Sequence, residues 1–241
     1  MQPYLFPYPG YFQLVMAADR FIFYDDVQYI NDGWINRNRL PDGWFTVPVA
    51  ADHMDTPIKD RRIAEKPYAR FRKKWLKRFD LQYRRAPFYE STRQLIDRVF
   101  VPEPTHIGAL AARSVELTAE HLEIAPVFGT SSSFTYDRNA DTQDKLLSLL
   151  NETGTEAFVN PEGGRHLYEA AAFNNQGISL RFLHSTLDYS GQAGRLGYSI
   201  IHLLAHHEPE VCRRWLTHYT LTSNNQHEPA TDQPAENRSL R

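Results

Sequence analysis

Residues 1–40 read MQPYLFPYPGYFQLVMAADRFIFYDDVQYINDGWINRNRL, and this stretch decides the fold. It opens on a segment carrying Pro3, Pro7 and Pro9. Proline has a fixed φ and no N–H, so residues 2–9 are a loop rather than a helix or a central strand. Gly10 follows, and residues 11–18 read as a short helix. Arg20-Phe21-Ile22-Phe23-Tyr24 is then a run of aromatic and β-branched residues, the pattern of a buried strand. It leads directly into Asp25-Asp26-Val27-Gln28-Tyr29. Loop, helix and strand, with acids at the strand's carboxyl end, is the arrangement in which open α/β sheets hold their ligands.

Working outward, Asn31 to Gly33 is a turn, and residues 34–40 alternate as a strand would, with Trp34, Asn36 and Asn38 on one side and Ile35, Arg37 and Arg39 on the other. Pro41-Asp42-Gly43 turns the chain into residues 44–49, which complete a hairpin whose Pro48 marks an edge. Residues 68–80 form an amphipathic helix through Phe71, Trp75 and Phe79. A second helix runs over 90–100, and a third, capped by Thr105, extends to Leu122. Residues 67–123 are thus a helical insertion. Residues 131–134 read as a polar linker or short strand. A helix capped by Asp141 or Thr142 leads to a strand at 155–159, a loop Asn160-Pro161-Glu162-Gly163-Gly164, a helix at 165–175 and a strand at 178–183. Strand, helix, strand is a right-handed parallel crossover. Two last helices cover 199–207 and 209–219. Residues 222–241 are polar with almost no apolar anchor, the composition of a disordered tail. The fold class that results is α/β, with a parallel-sheet, Rossmann-like three-layer core in a single domain over 1–221.

Three blocks of the opening stretch carry a resemblance to a known family: Gln2-Pro3-Tyr4 with Phe6-Pro7-Tyr8 and Gly10-Tyr11-Phe12-Gln13-Leu14; Phe23-Tyr24-Asp25-Asp26-Val27-Gln28-Tyr29; and Trp34-Ile35-Asn36-Arg37-Asn38-Arg39. With looser matches at Ala86-Pro87-Phe88-Tyr89, Phe158-Val159-Asn160-Pro161, Leu167-Tyr168, Gly177-Ile178 and Tyr198-Ser199-Ile200-Ile201, the chain resembles the WbqC-like family over residues 1–207. The resemblance implies a place in O-antigen or amino-sugar biosynthesis and a glycine-type aminoacyl transfer. Members carry a short apolar strand before the Gln-Pro; here the sequence given begins at Met1, so that strand is either absent or left out by the assigned start. Members also read Ser-Ile-Ile-Asp where this chain has His202, so any step that needs that acid is lost or altered here.

Composition bounds the rest. At 241 residues, 41% hydrophobic and 23% charged, the chain has the make-up of a soluble globular protein able to bury a substantial core. It has no apolar run of membrane-spanning length and no signal-peptide pattern, so a cytoplasmic location is expected. A lone cysteine, Cys212, excludes a disulfide framework and a cysteine-based zinc site and reads as buried and inert. The net charge of −2 is uneven. Residues 59–85 hold twelve Lys and Arg against three acids, whereas residues 1–58 hold three against seven. Such a segment attracts phosphates or acidic lipid, or is simply a solvated helix face; no nucleic-acid signature accompanies it. His202 and His206 have the i, i+4 spacing of a zinc helix but lack the intervening catalytic Glu, and no metal is expected.

The candidate catalytic residues are Asp25 and Asp26. Neighbours on a strand face opposite ways, so one acid faces the site and the other a partner such as Arg37 or Arg39. A carboxylate there can deprotonate an amine, hold it as ammonium or bind Mg²⁺, or it can cap backbone N–H groups. The candidate substrate-binding residues are Gln2, Tyr4, Gly10 and Tyr11 in the opening loop, then Gln28, Asn36, Arg37, Asn38 and Arg39, and Asn160, Gly163, Gly164 and Tyr168 around the second loop. Arginine forks grip carboxylate or phosphate, and amides read hydroxyls. Tyr8-Pro9-Gly10-Tyr11 stands where nucleotidyltransferase-type folds carry His-x-Gly-His before a helix, with tyrosines in place of both histidines. Acyl or aminoacyl transfer to an amine of an amino sugar or amino-acid-derived metabolite is the expected activity, and a non-catalytic ligand-binding or scaffold protein of the same pathway the alternative. The expected partner is a small molecule, anionic through phosphate or carboxylate. The cofactor and the oligomeric state stay open.

Overall fold

The computed structural model describes residues 1–187 and 197–223. The proline-rich opening loop ends at helix α1, Pro9–Met16, with Pro9 in the first turn, where its missing N–H costs nothing. Strand β1, Arg20–Phe23, follows. Its Phe21 and Phe23 are buried and meet Phe128 at 6.1 and 5.6 Å between ring centroids. Strands β2, Arg37–Leu40, and β3, Gly43–Thr46, form an antiparallel hairpin. Three helices fill the middle of the chain: α2, Glu65–Tyr83; α3, Tyr89–Phe100; and α4, Ile107–His121. Strand β4, Val127–Thr130, then pairs in parallel with β1. The last part comprises α5, Thr142–Glu152; β5, Ala157–Pro161; α6, Ala170–Asn175; β6, Ser179–Ser185; α7, Ile200–His206; α8, Pro209–Leu216; and β7, Tyr219–Ser223.

Helices and strands are mixed as an α/β chain requires, but the strands do not join one parallel sheet. Among the described residues they make a parallel pair β1–β4, the hairpin β2–β3, and a three-stranded sheet in the order β5-β6-β7. Strands β5 and β6 run parallel, as a strand–helix–strand unit demands, and β7 adds antiparallel to β6. Beside the β1–β4 pair, Phe21, Phe23 and Phe128 pack ring on ring. Beside β1 lies the main chain of Met1: its N–H donates to Ile22 and its carbonyl accepts from Tyr24.

Several local expectations change. Helix α4 starts after His106, not Thr105, whose hydroxyl lies 3.0 Å from His106 Nδ1. Residues Glu162–Leu167 are a 3-10 helix, so the expected loop at 160–164 and helix at 165–175 become strand end, 3-10 turn and the short α6. Thr222 belongs to β7 rather than a tail; residues 224–241 of that expected tail lie outside the described residues.

The opening loop is the centre of the packing. Phe6 is fully buried against Trp75 and Phe100 and takes a left-handed backbone conformation, φ 41°, which a non-glycine residue adopts only when its surroundings impose it. Its N–H donates to Ser114 Oγ at 2.8 Å. Its carbonyl accepts from Asn38 Nδ2 and from Ser199 Oγ, both at 2.7 Å. Asn38 also donates to the Leu5 carbonyl at 3.0 Å. Replacing Asn38 by Ala leaves the Leu5 carbonyl without its amide donor and the Phe6 carbonyl with Ser199 alone, and should cost about 1–3 kcal/mol. Urea denaturation of the variant checks this, and a midpoint equal to that of the parent would show that the clamp contributes nothing.

Candidate functional site

β1 and β4 end side by side, because they are parallel, and the chain leaves both ends with polar residues. Asp25-Asp26 follows β1, and Ser131-Ser132-Ser133, a single 3-10 turn, follows β4. Asp25 is 8% exposed, and each of its oxygens is engaged. Oδ1 accepts from the Ser132 N–H at 3.0 Å and from Ser131 Oγ at 3.2 Å, and Oδ2 accepts from Ser132 Oγ at 2.8 Å. Asp26 accepts from Ser131 Oγ and from the Tyr136 hydroxyl at 2.7 Å on Oδ1, and from Arg138 Nε at 2.8 Å on Oδ2. The Asp26 side chain is 4% exposed, whereas that of Arg138 is 42% exposed and covers it from outside.

The electrostatics follow from this geometry. Burial pushes the Asp26 carboxyl up, but the hydrogen bonds from Ser131, Tyr136 and Arg138 and the guanidinium charge outweigh it, so its pKa lies below the ordinary carboxylate range. Burial raises the Tyr136 hydroxyl, and its bond to the ionised Asp26 raises it further. Tyr24 contacts Tyr136 and lies within electrostatic reach of Asp26, Arg138 and Tyr168; its hydroxyl is raised chiefly by burial. The cluster is therefore the ionised Asp26, fixed by Ser131, Tyr136 and an outer Arg138, with the hydrogen-bonded Asp25 beside it.

Of the residues singled out in the sequence, Asp25 and Asp26 stand in this cluster and Tyr168 adjoins it through Tyr24. The partner of Asp26 is Arg138, not Arg37 or Arg39, because the turn after β4 comes to the acids while the β2–β3 hairpin packs elsewhere. Ser131, Ser132, Tyr136 and Arg138 complete the cluster and are not among the residues that the sequence singles out. The signal for the serines was three hydroxyls in a row beginning a turn, which reads as linker until β4 is known to pair with β1.

The remaining candidates are placed elsewhere. Asn36 and Asn38 are buried, and their amides hold backbone: Asn36 donates to the Val47 carbonyl at 2.9 Å. Gln2 contributes its carbonyl to the Tyr11 hydroxyl at 2.8 Å, and Tyr11 stacks with Tyr4 at 5.5 Å. At Gly10 a Cβ would come within 2.7 Å of the Tyr8 ring, so the missing side chain makes room for that ring. Gln28 reaches the Met54 carbonyl and Asp55 on the surface. Arg37 pairs with Asp32 and stacks on Trp44 at 4.8 Å, and Arg39 lies over Trp44 and Tyr198. In the second group, Gly164 lets the Asn160 amide pass where a Cβ would sit 2.2 Å from Nδ2; nothing lies within 4 Å of one at Gly163. Tyr168 packs on Phe158 and Phe173. No hydrogen bond or ion pair joins the hairpin arginines to Asp25 or Asp26 among the described residues.

Other groups complete the inventory. His202 Nδ1 meets the Tyr83 hydroxyl at 2.8 Å. Burial and the neighbouring His206 and His207 lower its pKa to about 4. The Cys212 thiol is buried and pushed up to about 12 by that burial. Among the described residues no three His, Cys, Asp or Glu are grouped to hold a metal, and no helix is long and apolar enough to cross a membrane. An open hollow of about 640 Å³ between α3 and α4, lined by Asp97, Val101 and Leu117 among others, contains none of the candidate residues.

These features occur in a recognisable class. The model of the WbqC-like protein family matches residues 2–214, and the chain belongs to that family. It is similar to the uncharacterized protein Rv1507c of Mycobacterium tuberculosis, 24% identical over 191 residues, which span 77% of this chain and 79% of that protein. No solved structure matches.

Two pH effects follow. Asp26 has a depressed folded pKa, so its contribution to stability is present above the unfolded value of about 3.9 and is lost as pH falls through the folded one. Asp26→Asn should remove that part of the acid limb of unfolding. His202 is held neutral, so the unfolded state gains protons first, and stability should decline as pH falls from 6.5 towards about 4. Thermal melts of the parent and His202→Asn across this range measure it; identical slopes would contradict the buried neutral imidazole.

Proposed function

We propose that the chain is a biosynthetic transferase that moves an acyl or aminoacyl group onto an amine of an amino sugar or amino-acid-derived metabolite, with Asp26 handling the amine. The observation that carries the reading is the ionised, nearly enclosed Asp26 carboxylate at the carboxyl ends of β1 and β4, covered by one exposed arginine. A carboxylate held below its ordinary pKa is a weak base but a strong fixed negative charge. When a neutral amine attacks the acyl carbon, its nitrogen becomes cationic as the bond to it forms. Asp26 stabilises that charge, the bond to the donor's leaving group breaks, and the surplus proton passes to solvent. The ammonium takes the place of Arg138 on Oδ2. Asp25 sets the serine turn that positions Asp26, and Tyr168 lines the approach. Family membership supports a biosynthetic setting.

The second reading, a non-catalytic ligand-binding or scaffold protein, is favoured by one observation: every oxygen of Asp25 and Asp26 is already bonded within the chain. The two part on a thermal-shift panel of amino sugars and aminoacyl donors followed by turnover assays on the hits. In the enzyme reading an amine raises Tm, Asp26→Asn cuts turnover about 10²-fold or more while the fold is kept, and Arg138→Gln tightens amine binding. Ligand binding without turnover selects the scaffold. If no amine shifts Tm in the parent or in Arg138→Gln, the amine site is wrong.

A further inference from the structure

The β2–β3 hairpin has two faces set by strand alternation. Asn38, Leu40 and Phe45 point inward and are buried, with Phe45 against Trp75 at 5.2 Å. Arg37, Arg39 and Trp44 form the other face. Trp34 joins Trp44 there at 5.3 Å, and the two indoles are 36% and 45% exposed. Neighbouring tryptophans this open to water are costly to leave uncovered, because each presents a large apolar ring.

The cations on this face differ. Arg37 is neutralised by Asp32. Arg39 has no ion pair among the described residues, and its guanidinium makes no hydrogen bond there; Nε is buried without a partner. It is held between rings instead, 5.2 Å from the Tyr198 centroid and 6.0 Å from that of Trp44. At Gly197 a Cβ would lie 3.2 Å from a terminal nitrogen of Arg39, so this backbone closes one side of it. A guanidinium between aromatic faces sheds water while keeping all its donors. With Nε buried, the two terminal nitrogens are what an anion can reach, and one that accepts an N–H bond from each satisfies them.

We propose that the outer face of this hairpin binds a phosphate-bearing ring compound, its phosphate on Arg39 and its ring on Trp34 and Trp44. Phosphate matches the guanidinium fork, and the paired indoles offer a flat surface to a nucleobase or to the C–H face of a sugar. This site is made of other residues than the amine site, and it does not rest on that reading.

Intrinsic tryptophan fluorescence of the full chain tests it, since Trp34 and Trp44 are the exposed reporters, Trp75 is buried and the half-buried Trp215 packs on His207; the quenching should be lost in Trp34→Phe/Trp44→Phe. The probes are uridine 5′-diphosphate, glucose 1-phosphate, inorganic phosphate and uridine. Saturable quenching by either ring phosphate is expected, with inorganic phosphate and uridine at least about tenfold weaker, and the better of the two ring phosphates identifies the ring as base or sugar. Arg39→Gln should weaken binding about tenfold or more with an unchanged circular dichroism spectrum. Arg39→Lys, which keeps the charge and loses the fork, should also bind more weakly than the parent. The proposal is overturned if neither ring phosphate quenches at millimolar concentration, if inorganic phosphate binds as well as both, or if the folded variants bind as the parent does. This readout is independent of amine binding at Asp26, so either reading can fail alone.

Discussion

The carbonyl and amide of Phe6 are the constraint on which the molecule depends. A buried phenylalanine in the left-handed region is unstable by itself, and three side chains distant in sequence hold it: Ser114 from α4, Asn38 from β2 and Ser199 ahead of α7. The neighbouring bonds repeat the arrangement. Ile200 donates to the Pro7 carbonyl and Ser199 to that of Arg39, each at 2.9 Å. The helical middle, the hairpin and the C-terminal helices are all tied to one turn of the opening loop. Because these groups are buried, each hydrogen bond is far more costly to lose than it was favourable to form.

This gives the motif-rich start of the chain a meaning beyond ligand binding. Asn38 and Ser199 belong to two of the stretches that resemble the WbqC-like family, and they meet on one backbone carbonyl. Much of that resemblance is therefore explained by architecture: an aromatic loop that must be received by particular amides and hydroxyls. The acid pair after β1 and the arginine–tryptophan face of the hairpin are not used in this packing, and the proposed chemistry is placed there.

Those two regions differ in how their charges are managed. At the acids, the carboxylates are surrounded by donors, and the cation that completes them is on the outside, where exchange with solvent is easy. On the hairpin, the surplus charge is positive, and among the described residues no counter-ion pairs with Arg39. The opposite signs are why the two proposals assign these places different groups, an amine to the acids and a phosphate to the hairpin.

How much of this was legible in the residues varies by element. The helix over α2 is visible because Phe71, Trp75 and Phe79 recur every four residues, and β1 because five bulky residues run together. β4 and β7 were missed. Val127–Thr130 is four residues with a glycine, and Tyr219–Ser223 alternates only two apolar side chains with polar ones. Each is a strand because a partner, β1 or β6, supplies the ladder. Asp25 and Asp26 could be chosen from the sequence, since their place after an apolar strand is local. Arg138 could not, because it lies 112 residues away and reaches Asp26 only when β4 lies beside β1. The sequence by itself determined the periodic helix α2, strand β1, the alternation of the hairpin and the acids at a strand end, all of which depend on near neighbours. The tertiary structure alone decided which strands pair, which amides are taken by Phe6 and which arginine meets Asp26, because those outcomes depend on contacts between residues far apart in the chain.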